Sequence, residues 1–381
     1  MGPESYTVDA MASPVYMELA LPTVVPLDIL VGVDYSAVKI DNQPYVTSVA
    51  APLYLPLLGA LPILLGTGGT INDLLTKLLP AVLVGLPTII GGKPFPIDPA
   101  TLPLPDLPDL SKVPFDKASC LAYFPGDPRK VACGGTLSGL VSVKQASGQA
   151  DTSGDPDDRA SITANTATKV TGLGSSLLPI SVGSLTSSVT SAVVDGKVTV
   201  ATKLEMLDVN LLGLFSASRI SSSSVATLGG VPGSGAGRSD TCEISRAKVA
   251  GRPVEIDPAG VRATGVGPGD ADVGAAQVAI DGILSLLGVK IRPGRVTPTE
   301  ISPEGTSLVT GVDCFELSWS NAKSGSRARV AIGQNRITLS ATPPAEEMEP
   351  SGPPGASPGG LAYAGHDLRD VYPFFAAFVI G

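Results

Sequence analysis

The residues of this sequence that are best suited to covalent chemistry are its four cysteines, Cys120, Cys133, Cys242 and Cys314. None belongs to a CxxC pair or lies near the single histidine, so the usual spacing of a zinc site is absent. Their even number favours disulfide bonds. Cys120 and Cys133 flank the turn residues 125–128 (PGDP), so we predict that they staple a hairpin, which leaves Cys242 to bond Cys314. Four reduced, buried thiols in a cytosolic protein are the alternative.

Nucleophilic catalysis would depend on His366, the single histidine of the chain. A serine or cysteine nucleophile needs a neighbouring base that accepts its proton. His366 and Asp370 lie about one helical turn apart in YAGHDLRD, a spacing more typical of a surface pair than of a catalytic dyad. No GxSxG elbow accompanies the many serines. We therefore predict a non-enzymatic protein without catalytic residues.

Sites for phosphates, for metals and for glycoside cleavage have little support. The glycine clusters at 66–69 and 229–237 lack the lysine and the strand-to-helix context of a phosphate loop. The carboxylates of the acidic loop 151–158 lack EF-hand spacing, so a solvated turn is the better interpretation than a calcium site. A glycosidase usually offers several aromatic platforms, and this chain has one tryptophan, Trp319. We predict no cofactor and no metal.

The composition is typical of a protein made of strands and loops. Charged residues make up 16% of the chain and aromatic residues 4%, while glycine and proline number 44 and 35. The net charge of -9 argues against nucleic acid as a partner, because phosphate-binding surfaces need clustered lysine and arginine. The length of 381 residues allows either two packed domains or one large all-β unit.

An uncharged, leucine-rich stretch begins at Asn42 and runs to Asn72, and a second apolar run follows it. They are interrupted by Pro52, Pro56, Pro62, Pro80 and Pro87, and each proline removes a backbone donor, so membrane-spanning helices are disfavoured. A buried apolar subdomain is one interpretation, and a surface for a lipid-like ligand is the other. The leucines and valine that would line such a surface are Leu57, Leu58, Leu61, Leu64, Leu65, Val82 and Leu83.

Period-two patterns predict strands in the rest of the chain. They are clearest from Ser161 to Thr227, as at 197–206, which Asp195-Gly196 precedes as a hairpin turn. A shorter extended run is predicted at 33–40. The heptapeptide ATKVTGL (167–173) recurs as ATKLEML (201–207), which suggests paired sheet units. Further strands are predicted at the following ranges, with Gln334-Asn335 as a turn between the last two: 289–292, 314–320, 327–332 and 336–341.

One amphipathic helix is predicted, at 270–287, where acidic residues suit its N-terminus and Gly288 ends it. The chain then divides into an apolar N-terminal region that packs on the sheets, a proline-rich connector, a β-rich domain, a flexible proline and glycine linker, and an apolar tail. Their ranges are 1–92, 93–116, 117–342, 343–360 and 361–381. The tail is either a truncated membrane anchor or a docking strand, because it is too short to span a bilayer.

Three segments resemble exported surface proteins of high-GC Gram-positive bacteria, the actinobacterial type. They are SCLAYFPGDPRKVACGG (119–135), the repeats ATKVTGL and SLTSSVTSAV, and EIDPAGVRATGVG (255–267). The resemblance covers about residues 30–340 in general style. It implies an extracellular or cell-surface location, a signal peptide and often a C-terminal anchor, and it adds no catalytic residue. The sequence as it stands begins without the basic residues of a signal peptide.

We therefore expect a mainly β protein with large antiparallel sheets, sandwich- or roll-like, with one amphipathic helix and a leucine- and proline-rich subdomain. Strands rich in serine, threonine and alanine would leave one sheet face flat. The expected function is that of an exported cell-envelope structural or binding protein, whose partner is an envelope component or another protein. The alternative is a carrier of a lipid-like ligand.

Overall fold

A computed structural model describes most of the β-rich part of the chain. The described residues are Pro3, 5–20, 28–41, 45–54, 120–137, 141–155, 157–175, 181–211, 213–229, 236–257, 260–264, Val278, Asp281, Gly282, 289–293, 300–302, 306–320 and 327–342.

Within these ranges the chain forms nineteen strands. They are β1 (Ser5–Ala20), β2 (Asp28–Ile40), β3 (Val46–Tyr54), β4 (Cys120–Phe124), β5 (Lys130–Leu137), β6 (Val141–Asp155), β7 (Asp158–Ser175), β8 (Ser181–Val194), β9 (Lys197–Leu211), β10 (Phe215–Leu228), β11 (Gly237–Ser245), β12 (Lys248–Val249), β13 (Arg252–Asp257), β14 (Gly260–Ala263), β15 (Val289–Pro293), β16 (Glu300–Ile301), β17 (Ser307–Val312), β18 (Phe315–Ser320) and β19 (Arg327–Thr342).

The strands form two antiparallel sheets that face each other. Sheet A has nine strands in the order β15-β18-β19-β1-β2-β3-β4, with β17 on β19 and β16 on β17. Sheet B has ten strands in the order β14-β13-β12-β10-β9-β8-β7-β6-β5, with β11 on β10. The predicted mainly β fold with large antiparallel sheets is therefore confirmed, and the two sheets form a sandwich-like pair of layers.

The hairpin of β8 and β9 follows directly from its sequence. Asp195 and Gly196 have φ values of 50° and 73°, the left-handed conformation that a two-residue hairpin turn requires. Along β9, buried and more exposed side chains alternate, as predicted for 197–206. Both copies of the heptapeptide repeat lie in sheet B, in β7 and β9, with β8 between them.

Sheet A is interrupted along one line that crosses its central strands, which we call the crease. Its members are Pro14 on β1 and the residues opposite it, Asp34 on β2 and Gly333 on β19. Pro14 has no N–H for the ladder, and Asp34 and Gly333 have left-handed φ values of 60° and 74°. The alternation of side chains therefore shifts by one residue at the crease in all three strands.

The crease separates two hydrophobic clusters of the core. On one side Val15, Val33 and Ile332 contact the first cluster, in which the rings of Phe215 (sheet B) and Phe315 (sheet A) lie 4.6 Å apart. On the other side the second cluster contains these residues of β1, β2, β9 and β19: Val8, Ala10, Val38, Ile40, Val198, Val200, Ile337 and Leu339. Burial of both clusters is the main driving force for pairing of the sheets.

Two sequence predictions are wrong. Gln334-Asn335 is not a turn: both residues are fully buried within the single long strand β19, because the opposite strand β1 pairs continuously along them. Cys120 and Cys133 do not staple a hairpin, because β4 pairs with β3 in sheet A and β5 pairs with β6 in sheet B. The segment between them crosses from one sheet to the other.

Other predictions fall largely outside the described residues. Within the predicted helix 270–287, Val278, Asp281 and Gly282 are helical and exposed, and the rest of that range is not described. The ranges 55–119 and 343–381, which hold the connector, the linker and the tail, are likewise not described. The division into domains stays a prediction. Among the described residues, no helix is long and apolar enough to cross a membrane.

Candidate functional site

Both disulfide bonds that the sequence predicts are present, and each joins sheet A to sheet B. Cys120 on β4 bonds Cys133 on β5, and Cys242 on β11 bonds Cys314, which lies between β17 and β18. The Cα atoms of each pair are 5.5 Å apart, which is typical of a disulfide. Such bonds are compatible with an oxidising, extracellular environment.

The two disulfides lie at opposite ends of one cross-strand row of sheet B, in which small residues predominate. In sheet B this row reads Cys133, Gly148, Thr168, Ser187, Leu204, Ser222 and Cys242. In sheet A, a matching row begins at Cys120, the disulfide partner of Cys133. It reads Cys120, Ala50, Ser36, Ala12, Asn335 and Val312. A Cβ on Gly148 would lie 3.0 Å from the Cys133 sulfur and 3.3 Å from the Ala50 carbonyl oxygen, so the sheets approach closely here.

Hydroxyl groups from the two rows form a hydrogen-bonded cluster between the sheets. Ser187 donates to the backbone carbonyl oxygen of Asp34 over 2.5 Å. The hydroxyl oxygen of Thr168 lies 2.7 Å from that of Ser187 and 3.3 Å from that of Ser36. The Asn335 side-chain amide donates to the hydroxyl of Ser222. We call these six residues the polar seam.

Asp34 is the one ionisable residue of the polar seam. It is fully buried, and neither oxygen of its carboxyl group has a hydrogen-bond partner among the described residues. Burial raises the pKa of Asp34 to about 7, and the nearby hydroxyl groups of Thr168 and Ser187, which do not meet hydrogen-bond geometry with the carboxyl oxygens, offset part of that rise. The carboxyl group is therefore largely neutral below neutral pH, which is unusual for an aspartate.

Sheet B also presents a broad polar surface on its other side, away from sheet A, which we call the polar face. It is formed by the outward residues of β6 to β11, and serine and threonine predominate among them. They are Ser147, Gln149, Asp151, Ser153, Thr163, Asn165, Ala167, Lys169, Thr171, Ser184, Thr186, Ser188, Thr190, Ala192, Thr199, Ala201, Lys203, Glu205, Leu207, Arg219, Ser221, Ser223, Val225, Thr227, Ser239, Thr241 and Glu243.

Short, hydroxyl-bearing side chains predominate on the polar face, and some of them hydrogen-bond to one another. Ser153 pairs with Thr163 across β6 and β7 at 2.7 Å, and Ser223 pairs with Thr241 across β10 and β11 at 2.8 Å. No aromatic side chain occurs at its positions. Charged residues of both signs occur on it: Asp151, Glu205, Glu243, Lys169, Lys203 and Arg219, with Asp155 and Lys197 at the ends of β6 and β9.

Neither a family model, nor a curated protein, nor a solved structure matches this chain. The resemblance to exported actinobacterial proteins therefore stays a prediction.

A third polar group lies on sheet A beside the crease. The guanidinium group of Arg329 lies 2.8 Å from a carboxylate oxygen of Glu316 and 3.3 Å from one of Asp313. The side chains of both acids are more than nine-tenths buried. Burial raises the pKa of Asp313, while Arg336 and Arg329 lower it. The contacts are those of a structural ion cluster.

Other predicted site residues are only partly described. The possible lipid surface lies outside the described residues, namely Leu57, Leu58, Leu61, Leu64, Leu65, Val82 and Leu83. His366 is not described either. In the acidic loop, the backbone N–H of Asp157 donates to Asp155 and that of Ala160 donates to Asp158, which supports the turn interpretation. In the described part of the chain, no three metal-binding side chains of His, Cys, Asp or Glu cluster together.

The sequence did not reveal the polar seam. Its serines and threonines stand at inward positions of strands whose outward positions carry the same residue types, so composition does not separate them. One signal was available: Asp34 lies inside the apolar run VGVDYSAVKI, where a charged residue is unexpected. Pro14 within a long strand is the second, because proline is rare in the middle of a sheet.

Proposed function

We propose that this chain is a non-enzymatic, exported protein of the cell envelope that binds an envelope component through its polar face. The observation that carries the proposal is the hydroxyl-rich outer surface of sheet B, in a sandwich with two inter-sheet disulfides.

The chemistry of the polar face favours a neutral, hydrogen-bonding partner. Hydroxyl groups donate and accept hydrogen bonds, and neighbouring strands repeat them about every 4.8 Å across the sheet. The mixture of carboxylates and cations gives little attraction for a strongly charged polymer. A hydroxylated polymer such as a cell-wall polysaccharide fits these properties, and a lipid acyl chain does not.

Export is supported by the arrangement of the disulfides. Both bonds connect the two sheets covalently, in addition to the packing of the core. Disulfides persist in oxidising compartments and are rare in the cytosol. An extracellular or cell-surface location is therefore part of the proposal.

The test is co-sedimentation of the purified, oxidised protein with cell-wall polysaccharide from the source organism. Thr190→Arg places a long, charged side chain at an exposed site in the centre of the polar face, on β8. The matched control is Thr338→Arg, at an exposed site of β19 on the outer side of sheet A. We expect wild type and the control to sediment, and Thr190→Arg to bind at least about tenfold more weakly, a loss of about 1.4 kcal/mol.

Equal sedimentation of all three proteins, or of none, would contradict the proposal. Solvent extraction of the same preparation examines the alternative function. A stoichiometric lipid in the extract, together with no polysaccharide binding, would favour a lipid carrier.

A further inference from the structure

Asp34 occupies the point where the crease of sheet A meets the polar seam. Its φ of 60° breaks the strand alternation, and its carbonyl oxygen accepts a hydrogen bond from Ser187 of the opposite sheet. Its carboxyl group is fully buried among residues of both sheets and has no hydrogen-bond partner among the described residues. A charged carboxylate in this position would be without compensation.

A count of hydroxyl protons explains why the carboxyl group has no donor. Ser187 has one hydroxyl proton and donates it to the Asp34 carbonyl oxygen. The 2.7 Å contact with Thr168 therefore requires Thr168 to donate to Ser187. Ser36 lies 3.3 Å from the Thr168 oxygen and donates to it, while the Ser36 oxygen, 2.9 Å from that of Ser187, is a second acceptor for the Ser187 proton. All three hydroxyl protons are used, so the cluster has spare acceptors and no spare donor.

Such a cluster accommodates a neutral carboxylic acid better than a carboxylate. A carboxylate needs donors and carries a charge that burial penalises, whereas the acid brings its own proton. No charged side chain among the described residues faces Asp34. Pro14 and Pro52 stand opposite it on the neighbouring strands, Thr168 and Ser187 face it from sheet B, and Tyr35 beside it is half-exposed.

We propose that Asp34 is a proton-operated latch between the sheets: the neutral carboxyl group lets β2 pack against β7 and β8, and its ionisation draws water into the polar seam and loosens this contact. The device does not depend on which partner the polar face binds. It would make the stability of the contact between the two sheets depend on the pH outside the cell.

The direction of the pH dependence of stability follows from the raised pKa of the Asp34 carboxyl group. Because the pKa of Asp34 is raised from 3.8 to about 7 in the folded protein, its stabilising contribution is complete below pH 3.8 and is lost as the pH rises to about 7. Asp34→Asn keeps the shape, tolerates the left-handed φ and carries no charge at any pH. Relative to this variant, the unfolding equilibrium constant of wild type should rise by up to about tenfold per pH unit across that interval.

The matched control is Asp195→Asn. Asp195 also has a left-handed φ, of 50°, but it is exposed in the β8–β9 turn. Urea unfolding of the three oxidised proteins at several pH values from 4 to 8.5 measures the effect. We expect the control to follow wild type, and Asp34→Asn to lack the decline toward neutral pH. If wild type and Asp34→Asn have parallel pH profiles, the latch does not exist.

Two measurements keep the proposal testable if Asp34→Asn folds poorly. The carbon-13 shift of the Asp34 carboxyl group in wild type should titrate close to neutral pH, and titration near its ordinary value of 3.8 would overturn the proposal. Unfolding of wild type at pH 8 in sodium or potassium chloride, against choline chloride at equal concentration, distinguishes a proton from a metal cation. Equal stabilities are expected; specific stabilisation by sodium or potassium would mean that a cation neutralises Asp34 instead.

Discussion

The hydroxyl group of Ser187 on β8 donates a hydrogen bond to the backbone carbonyl oxygen of Asp34 on β2, across the interior of the sandwich. Ser187 is 3% exposed and Asp34 is fully buried, so water does not replace this bond. It ties sheet B to sheet A at the residue where sheet A changes the direction of its side chains. The contact is therefore a direct probe of how the two sheets hold together.

Ser187→Ala should destabilise the protein by about 1 to 3 kcal/mol, because the buried Asp34 carbonyl oxygen loses its donor and Thr168 loses its acceptor. The matched control is Ser188→Ala, the next residue, whose side chain points to the polar face. We expect this control to stay within about 0.5 kcal/mol of wild type. Urea unfolding at pH 5 measures both, and equal effects would show that the polar seam adds no stability.

The two disulfides should contribute unequally. Cys242 and Cys314 are 72 residues apart in the chain, and Cys120 and Cys133 are 13 apart. A disulfide that closes a longer loop restricts the unfolded chain more. Replacing Cys242 and Cys314 by serine should therefore cost about 4.5 kcal/mol, and replacing Cys120 and Cys133 by serine about 3 kcal/mol. Thermal unfolding of the two double-serine variants shows which loss of stability is larger. The reverse order would mean that native-state effects outweigh loop entropy.

Gly333→Ala should be strongly destabilising, by about 2 kcal/mol or more. A Cβ at this position would lie 2.7 Å from the sulfur of Cys314, and the φ of 74° is unfavourable for alanine. Gly135→Ala is the control, because a Cβ there meets no atom within 4 Å. Chemical unfolding of both variants tests this. Similar stabilities of the two variants would mean that the backbone at the crease accommodates a Cβ at position 333 without loss of free energy of unfolding.

Arg329→Ala should destabilise the protein by about 3 kcal/mol at pH 7, because the buried carboxylates of Asp313 and Glu316 lose their cation. The control is Arg219→Ala, which removes an exposed ion pair with Glu205 and should cost less than about 1 kcal/mol.

The loss in Arg329→Ala should depend on pH in a defined direction. Without Arg329 the pKa of Asp313, already raised by burial, rises further, so the penalty is full at neutral pH and shrinks as the carboxyl group becomes protonated. Urea unfolding at pH 4 and pH 7 measures the difference. A penalty that is equal at both values would exclude the ion cluster as its source.

The sequence predicted correctly those elements that depend on neighbouring residues in the chain. The alternation along 197–206 and the Asp195-Gly196 turn specified the β8–β9 hairpin, since each residue's face follows from its immediate neighbours. The same reasoning failed at Gln334-Asn335. These two polar residues have the composition of a turn, but β1 pairs along them and buries them within β19. Burial by a strand more than 300 residues away is not visible in a short window.

The amino-acid sequence by itself determined that this protein is built of antiparallel strands joined by turns and stabilised by disulfides, because side-chain alternation, turn chemistry and an even number of cysteines act over short distances. Only the tertiary structure decided that both disulfides join the two sheets, that they end the same cross-strand row of sheet B, and that Asp34 lies buried beside that row with no hydrogen-bond donor to its carboxyl group among the described residues. These relationships depend on strand register and on the packing of one sheet against the other. Both arise from contacts between distant parts of the chain, where burial of apolar surface decides which residues meet.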